Sequence, residues 1–320
     1  VNMTEIERNE LSKNAMGGTE LMATALAEKL DPTLRDKFQI ICSRVRDIEE
    51  DKIPVLWLHD LPNDPESHHL SDPESRKRFA KFVFVSNWQM NEYIHTYGLN
   101  WDDCYVIKNA IEPIELKEKP KDGIVRLIYH STPHRGLELL VPSFEHLADK
   151  HDNIELDVYS SFDLYGWSER DKPYEELFQR CKDHPKINYH GTQPNSVIRE
   201  ALKKADIFAY PNIWPETSCL CAIEALDAGC LMLAPNYAAL PETAGCWGIT
   251  YQWTPDANKH ANLFTSILDN MIVTLTNNKE DAEHMIIQQK LYYDNFFSWD
   301  VRIKEWNQML NSILWERNEL

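Results

Sequence analysis

The amino-acid sequence predicts an α/β protein whose parallel sheets are flanked by helices. Short β-rich runs recur along its 320 residues, and several are apolar almost throughout, as in strands covered on both faces. Helical patterns lie between many of these runs, and such alternation is typical of parallel sheets. The length exceeds the usual size of one core, so we expect two domains.

Each predicted element follows from local pattern. Strands are predicted at residues 38–43, 53–59, 81–86, 104–109, 124–130, 154–160, 186–191, 206–211 and 230–235. Helices are predicted within residues 18–30, 136–151, 196–206 and 218–228, and over the amphipathic tail from residue 298. The segment EPIELKEKPKDG, residues 112–123, is charged, contains two prolines and ends in glycine, which indicates a flexible linker. The predicted domains are therefore residues 1–118 and 119–299.

Composition limits the possible partners. The 33 Lys and Arg residues face 51 Asp and Glu, and a net charge of −18 disfavours binding to nucleic acid. The basic run RKRFAK, residues 76–81, is either the solvated face of a helix or a contact for an acceptor or a membrane surface. The seven cysteines lack the spacing of a zinc site, so we expect reduced thiols in a cytoplasmic protein. No signal peptide or membrane-spanning run is visible.

One predicted helix, residues 218–228, suits the binding of an anion. Thr217 or Ser218 is a favourable N-cap, and Gly229 suits a left-handed C-terminal position. The first amides, near Thr217, Ser218 and Cys219, would point into the crevice where open α/β sheets bind ligands. A diphosphate fits such a helix end.

Two glutamates flank this helix end. Glu224 lies about 9 Å along the helix from Ser218, at 1.5 Å per residue, and could reach the hydroxyls of a ribose attached to the diphosphate. Glu216, still on the loop, would face the opposite end of the ligand. The alternative is that Glu216 is a capping-type carboxylate near the N-terminus of the helix and that Glu224 is an ordinary exposed helix residue. Both interpretations stay open at this point.

These residues carry a resemblance. ETSCLCAIE, residues 216–224, matches the motif of two glutamates separated by seven residues in retaining glycosyltransferases of the family-four type, which have the two-domain GT-B fold. Further matches follow in family order: GGTE at 17–20, LHD at 58–60, FVFVSNWQ at 82–89, VIKNAI at 106–111, HRGLELL at 134–140, YHG at 189–191 and FSWD at 297–300. Together they extend over most of the chain.

The resemblance implies roles at the donor phosphates. Gly17 and Gly18 correspond to the family's glycine loop, which lets backbone amides approach the donor diphosphate or the acceptor. Arg135 stands where the family usually has a lysine, and its guanidinium could bind two phosphate oxygens. His130 replaces the family's usual arginine. It is therefore either protonated beside the diphosphate, or the helix end and Arg135 carry more of the charge.

The resemblance also implies roles near the sugar and the base. His59 matches the family's active-site histidine at the end of a strand, and Asp60 beside it would orient the loop or bind acceptor. Glu216 would hold the sugar hydroxyls, because a carboxylate placed on the diphosphate would be repelled. The base would meet the backbone near Gly191 and Thr192.

The implied fold is GT-B: two Rossmann-like domains facing across a cleft, with a reduced N-terminal domain. The N-terminal domain would bind the acceptor and the C-terminal domain the donor, with the helix at 300–320 packing back on the former. The polar residues before Gly17 indicate that the family's first strand is missing or replaced.

The implied activity is transfer of a hexose, with retention, from a UDP- or GDP-sugar. The acceptor would be a glycan, a lipid-linked or a small molecule, with at most peripheral membrane contact. No metal and no further cofactor are expected. The alternative is a catalytically silent nucleotide-sugar or glycan-binding protein on the same fold, favoured by the change at position 130 and the short N-terminal domain. Sequence does not determine the oligomeric state.

Overall fold

A computed structural model describes residues 17–318 and divides the chain into two compact units. Unit 1 comprises residues up to Ala110 together with those from Phe297, and unit 2 comprises Ile111–Phe296. Each unit is built around one parallel sheet, of four and six strands respectively. The prediction of parallel α/β architecture is confirmed.

Unit 1 has a sheet in the sequential order β1-β2-β3-β4. Its elements are α1 (Gly18–Lys29), α2 (Pro32–Lys37), β1 (Phe38–Cys42), β2 (Ile53–Leu58), α3 (Pro73–Arg76), β3 (Lys81–Phe84), α4 (Asn87–Tyr97), β4 (Cys104–Val106) and α12 (Trp299–Glu316), with 3-10 turns at Pro65–Ser71 and Trp101–Asp103. Apolar side chains of the strands pack with Leu70, Met90 and Tyr93 in one core cluster. Because β1 to β3 are buried on nearly every residue, their sequences are almost continuously apolar.

Helix α4 shows how sequence sets these boundaries. The Ser86 hydroxyl accepts a hydrogen bond from the Gln89 amide and caps the first turn. The helix ends at Gly98, whose φ of 66° is left-handed.

Unit 2 has a sheet in the order β10-β9-β8-β5-β6-β7. Its elements are β5 (Val125–Tyr129), α5 (Leu137–Ala148), β6 (Ile154–Val158), α6 (Glu175–Asp183), β7 (Ile187–Tyr189), α7 (Asn195–Leu202), β8 (Ile207–Ala209), α8 (Leu220–Asp227), β9 (Leu231–Pro235), α9 (Leu240–Ala244), β10 (Ile249–Tyr251), α10 (Ala257–Asn278) and α11 (Asp281–Phe296). Three 3-10 turns lie at Pro133–Arg135, Phe162–Tyr165 and Ser168–Tyr174.

All the predicted strands are present, each within one to three residues of its predicted ends. Strand β10 lies outside the prediction. It is a three-residue edge strand in which only Tyr251 is buried. It therefore lacks the run of apolar residues from which the other strands were predicted. Helices α10 and α11 were also not predicted, although Phe264, Leu268, Met271 and Leu275 on α10 follow helical spacing.

The segment predicted as a flexible linker, residues 112–123, is held against unit 2. The Ile114 amide donates to Asp227 at 2.6 Å, and Lys119 donates to the carbonyl of Leu202 at 3.1 Å. A Cβ on Gly229 would lie 2.5 Å from Leu116, which shows how closely this segment approaches the end of α8. The boundary between the units falls at residue 110, so the segment belongs to unit 2.

The last helix belongs to unit 1. Trp306 of α12 is fully buried and meets Trp57 of β2 edge-on, with ring centroids 5.0 Å apart. The amphipathic pattern of the tail therefore reflects a buried face. The polar stretch before Gly17, where the family's first strand is expected to be missing or replaced, lies outside the described residues.

Candidate functional site

The order of strands in unit 2 identifies where a ligand can enter. The chain proceeds from β5 to β6 and β7 on one side, and then returns to place β8 on the other side of β5. In open α/β sheets the loops leaving the carboxyl ends of two such strands diverge and open a crevice. Here those loops are residues 130–136 after β5 and 210–219 after β8.

Arg135 and Glu216 meet at this crevice, one from each loop. Nη1 of Arg135 donates to the two carboxylate oxygens of Glu216, at 2.8 and 3.0 Å. The Tyr210 hydroxyl donates to Oε1 of Glu216 at 2.5 Å. Burial raises the pKa of Tyr210, which keeps its hydroxyl a donor. Glu216 is only 4% exposed, and the cation and the hydroxyl together compensate its burial.

The Arg135 loop is fixed by close backbone packing. Gly136 has a φ of 121°, a conformation open to glycine, and a Cβ there would lie 2.2 Å from the Pro211 carbonyl oxygen. The Tyr129 hydroxyl donates to the Thr132 carbonyl at 2.7 Å, which fixes the start of the loop. Arg135 is thus placed by backbone contacts as well as by its ion pair.

Helix α8 begins later than predicted. Its first residue is Leu220, and its N-cap is Cys219, which has φ 81° and ψ 82° and makes no side-chain capping bond. Neither Thr217 nor Ser218 serves as the cap, because the left-handed turn at Cys219 separates them from the helix. The Ser218 carbonyl instead accepts from the Thr243 hydroxyl at 2.5 Å. Without a side-chain cap, the first amides remain free of competition from a capping oxygen.

Glu224 projects from α8 into a polar environment. Its carboxylate accepts from Asn195 Nδ2 at 2.9 Å and lies 3.7 Å from Nη1 of Arg199. Burial raises the pKa of Glu224, while His130, Asn195 and Arg199 oppose this effect. The same Arg199 donates to the Glu112 carbonyl at 2.8 Å. Glu224 is therefore a buried, held carboxylate and not an ordinary exposed helix residue.

His130 and Cys221 lie side by side beneath the crevice. The Cys221 thiol contacts the His130 carbonyl at 2.9 Å. Burial opposes a charge on His130, but Cys221 and Glu224 favour it, and the pKa of His130 is raised overall. A hydrogen bond from Cys219 lowers the pKa of the Cys221 thiol, and His130 and Arg135 act in the same direction.

Buried polar atoms without a hydrogen-bond partner concentrate at this edge of the unit 2 sheet. They follow β5, β6 and β7 directly: both ring nitrogens of His130, Thr132 Oγ1, His134 Nδ1, Arg135 Nε, Ser160 Oγ and Thr192 Oγ1. Each such group costs about 1–3 kcal/mol when left unpaired. A polar ligand in the crevice would supply the missing partners.

Gly191 and Thr192 lie on the loop after β7. Gly191 has a φ of 62°, and only the Tyr189 ring approaches the position of a Cβ. Its backbone is therefore accessible at close range.

The remaining predicted residues lie in unit 1. His59 follows β2, its amide donates to Ser43 Oγ at 3.1 Å, and its ring lies 4.4 Å from that of Trp57. Burial lowers the pKa of His59 to about 3, so the imidazole is neutral near pH 7. Burial raises the pKa of the neighbouring Asp60.

The glycine pair lies at the start of α1. Gly17 is its N-cap with φ −69° and ψ 168°, and Gly18 is the first helical residue. Residues with side chains can also adopt both conformations. Glycine therefore contributes here through its missing side chain and not through a left-handed φ. No side chain caps α1.

Comparison with known proteins identifies the family. Residues 109–286 match the sequence model of the family described as Glycosyl transferases group 1. This chain belongs to that family. No curated protein sequence matches it.

Several solved structures share the GT-B fold of this family member. A glycosyltransferase from Rickettsia africae has a TM-score of 0.62 at 18% identity, covering 97% of this chain and 87% of its own. Anabaena HepE, in complex with UDP-glucose, has a TM-score of 0.63 at 16% identity, covering 82% and 72%. TarM has a TM-score of 0.60 at 14% identity over 92% of this chain, which spans 58% of the length of TarM.

Three residues of this glycosyltransferase-family chain were missed by sequence reasoning. Tyr210 and Asn195 hold the two glutamates, and Gln89 holds the loop after β2 by donating to the Leu58 and Asp60 carbonyls at 3.2 and 2.8 Å. Gln89 is fully buried, and the available signal was a polar residue at helical spacing from the apolar Met90 and Tyr93.

Within residues 17–318 of this family member, no helix combines the length and apolar character needed to cross a membrane. In the same part of the chain, no three His, Cys, Asp or Glu side chains are grouped in a way that could hold a metal ion.

Proposed function

We propose that this chain is a retaining glycosyltransferase that moves a hexose from a nucleoside-diphosphate sugar to an acceptor. The observation that carries the proposal is the Arg135–Glu216 pair at the strand-order reversal of unit 2. A cation beside a carboxylate suits a nucleotide sugar, because the cation can bind the anionic leaving group and the carboxylate can accept hydrogen bonds from the sugar hydroxyls. The family membership supports the same reaction class.

The diphosphate would bind Arg135 and the end of α8. Nη1 of Arg135 is occupied by Glu216, but Nε has no partner and can donate to a phosphate oxygen. The start of α8, which has no side-chain cap, and the helix dipole add positive potential. A protonated His130 would contribute a further charge, which compensates for the absent family arginine.

The sugar and the nucleoside would bind on either side of the diphosphate. Glu216 would accept from the sugar hydroxyls, and Glu224 from the ribose, because a carboxylate at each end avoids repulsion by the phosphates. The base would meet the backbone at Gly191 and Thr192. HepE is described with UDP-glucose, which makes UDP the first nucleotide to test.

Bond cleavage at the anomeric carbon places negative charge on the leaving phosphate, and the proposed positive groups are already present to stabilise it. We therefore propose a reaction without a metal, with the acceptor attacking from the leaving-group side. In unit 1, His59 would act at the donor sugar, Asp60 would orient its loop or bind the acceptor, and the amides at Gly17 and Gly18 would approach the donor diphosphate or the acceptor. A neutral His59 can both donate and accept a hydrogen bond.

The test begins with a thermal-shift screen of UDP-, GDP- and ADP-sugars. The donor that raises Tm most is then used to measure nucleoside diphosphate release with a panel of acceptors, and NMR of the product gives the anomeric configuration. Release that depends on acceptor, with retention, is the expected result. Binding without any release would favour the silent sugar-binding protein, and inversion would contradict the mechanism.

A further inference from the structure

A row of aromatic side chains in unit 2 begins beside the ion pair. The ring of Trp214 meets that of His134 edge-on at 4.9 Å, and His134 stacks on Phe162 at 5.1 Å. The guanidinium of Arg170 lies over Phe162 at 4.5 Å and over Trp167 at 5.1 Å. These five side chains, which we call the aromatic row, form a continuous series of contacts in which Phe162 is buried and Trp214, Trp167 and Arg170 are exposed.

The aromatic row and the ion pair belong to the same two loops. His134 directly precedes Arg135, and Trp214 lies two residues before Glu216. The fully buried Asn212 fixes Trp214 by accepting from its amide at 2.9 Å and donating to its carbonyl at 2.5 Å. The start of the row is therefore positioned together with the groups proposed to hold the donor sugar.

The far end of the row is also preorganised. Asp171 accepts from the Ser161 hydroxyl at 2.5 Å and from the Phe162 amide at 2.8 Å. The Trp167 amide donates to the Phe162 carbonyl at 3.2 Å, and the Arg170 backbone amide donates to the Trp167 carbonyl at 2.9 Å. A loop fixed in this way presents its side chains without a large ordering cost on binding.

The chemistry of the row suits a carbohydrate. Trp214 is 39% exposed and Trp167 is 40% exposed, so both keep a large surface for a ligand after packing in the row. A pyranose presents C–H groups on its face, which favour the electron-rich face of an aromatic ring, and hydroxyls at its edge. Arg170 supplies donors for those hydroxyls between the two indoles. Burial lowers the pKa of His134 to about 3, so the ring within the row is neutral.

We propose that the aromatic row binds a saccharide acceptor, with Trp214 beneath the ring nearest the transferred sugar and Trp167 beneath a more distant one. This inference rests on the proposed function and names the acceptor class. It places the saccharide on unit 2, whereas the family resemblance implies an acceptor on the N-terminal domain. The donor sugar is assigned to Glu216, whereas the row connects Trp214, two residues before Glu216, to a second exposed indole at Trp167, which offers a stacking face beyond the one next to the donor sugar. The acceptor is then an existing glycan longer than a monosaccharide.

The experiment compares substitutions at the row with a matched exposed tryptophan. Trp214→Ala, Trp167→Ala and Trp214→Phe are made, with Trp101→Ala as control, because Trp101 is 61% exposed and lies in unit 1. Methyl glycosides and hexasaccharides of glucose, mannose and N-acetylglucosamine serve as acceptors with the donor selected by thermal shift. Calorimetry with the same hexasaccharides measures binding without turnover.

We expect oligosaccharides to have lower KM than methyl glycosides. Each alanine variant should raise the oligosaccharide KM roughly tenfold, the effect of losing one stacking contact. Trp214→Phe should remain within about threefold of the parent, because it keeps an aromatic face. Trp101→Ala should leave KM unchanged. The thermal shift with donor confirms that each variant is folded.

Unchanged acceptor KM in both alanine variants, or a change in donor KM alone, overturns the saccharide assignment while leaving the proposed function intact. Weaker binding of the variants to anionic phospholipid vesicles, without a change in saccharide binding, would instead identify a lipid-contact surface. If no donor is turned over but calorimetry shows hexasaccharide binding that depends on Trp214 and Trp167, the proposed function fails and the saccharide site stands. If hexasaccharides neither bind nor accept sugar, the site fails.

Discussion

Nη1 of Arg135 donates to both carboxylate oxygens of Glu216, at 2.8 and 3.0 Å, across 81 residues of sequence. Only one guanidinium nitrogen is used in these two bonds, so the pair can persist while Nε turns to a phosphate. The pair therefore links the proposed diphosphate and sugar subsites physically. Substituting either residue should therefore affect both the diphosphate subsite and the sugar subsite.

Arg135→Ala and Glu216→Gln should each lower kcat/KM severely, by roughly a hundredfold or more, as loss of a preorganised charge at a reacting centre does. Arg135→Ala should also destabilise the protein by about 3 kcal/mol, because it leaves the buried Glu216 carboxylate without its cation. Acceptor-dependent nucleotide release and urea unfolding measure the two effects. Glu138→Gln, at an exposed position on α5, is the matched control. Near-normal rates for both variants would contradict the assignment of the site.

Glu224→Gln should weaken UDP binding roughly tenfold, the value of about one charge-assisted hydrogen bond to the ribose. The affinity for 2′,3′-dideoxy-UDP should change far less, since that ligand lacks the hydroxyls. Calorimetry with both nucleotides gives the comparison, and Glu200→Gln on the exposed side of the neighbouring α7 is the control. Equal losses for the two nucleotides would show that Glu224 does not contact the ribose.

Gly136→Ala should destabilise the protein more than Gly123→Ala. Both glycines have positive φ, so each substitution carries a backbone cost of about 1 kcal/mol. At Gly136 a Cβ would also lie 2.2 Å from the Pro211 carbonyl oxygen, whereas nothing lies within 4 Å at Gly123. The additional loss at position 136 should be accompanied by lower activity, because Arg135 is displaced. Equal Tm values for the two variants would mean that the loops can separate without cost.

The strands and the place of Glu216 after β8 show what sequence could predict. Strands that are buried on both faces consist of nearly continuous apolar residues. For this reason β5 and β8 could be predicted from their local sequence alone. Parallel strands align their carboxyl ends, so residues that follow them are brought to one edge. The strand pattern thus predicted Glu216 at the carboxyl end of β8, whereas the role of Arg135 came from the family resemblance, and the ion pair between them was not predicted.

The parts that escaped prediction depend on contacts distant in sequence. The cap at Cys219 requires a left-handed non-glycine residue, which local preference disfavours and only the surrounding packing can impose. The anchoring of residues 112–123 depends on Asp227, more than a hundred positions away, while the local composition indicates a free linker. Charge and proline content are properties of the segment itself, and they carry no information about the surface of unit 2 that holds it.

Protein stability should fall on acidification partly through His59. Its folded pKa is about 3, whereas an unfolded histidine titrates near 6.5, so below pH 6.5 the unfolded chain takes up a proton that the folded chain does not. The loss from this group between pH 7.5 and 5.5 should be about 1.4 kcal/mol. His59→Gln should remove that part of the pH dependence, measured as the difference between urea unfolding free energies at the two pH values.

The exposed His68 provides the control for this measurement, since His68→Gln should leave the pH dependence as it is in the parent. Each variant is judged by the change in its unfolding free energy between the two pH values. A loss of stability in His59→Gln that is the same at both pH values therefore does not affect the comparison. A parent-like slope in His59→Gln would show that the imidazole gains a proton in the folded state.

Cys221 should react with iodoacetamide faster near pH 7 than a typical buried thiol, and UDP should protect it. A hydrogen bond from Cys219, with His130 and Arg135 nearby, lowers its pKa, and the thiolate is the reactive form. If the diphosphate lies at the uncapped end of α8, the bound nucleotide covers this thiol. Mass spectrometry of the alkylated peptides measures both effects in one sample, because the exposed Cys246 reacts alongside and should not be protected. Labelling of Cys221 that is indifferent to saturating UDP would place the nucleotide elsewhere.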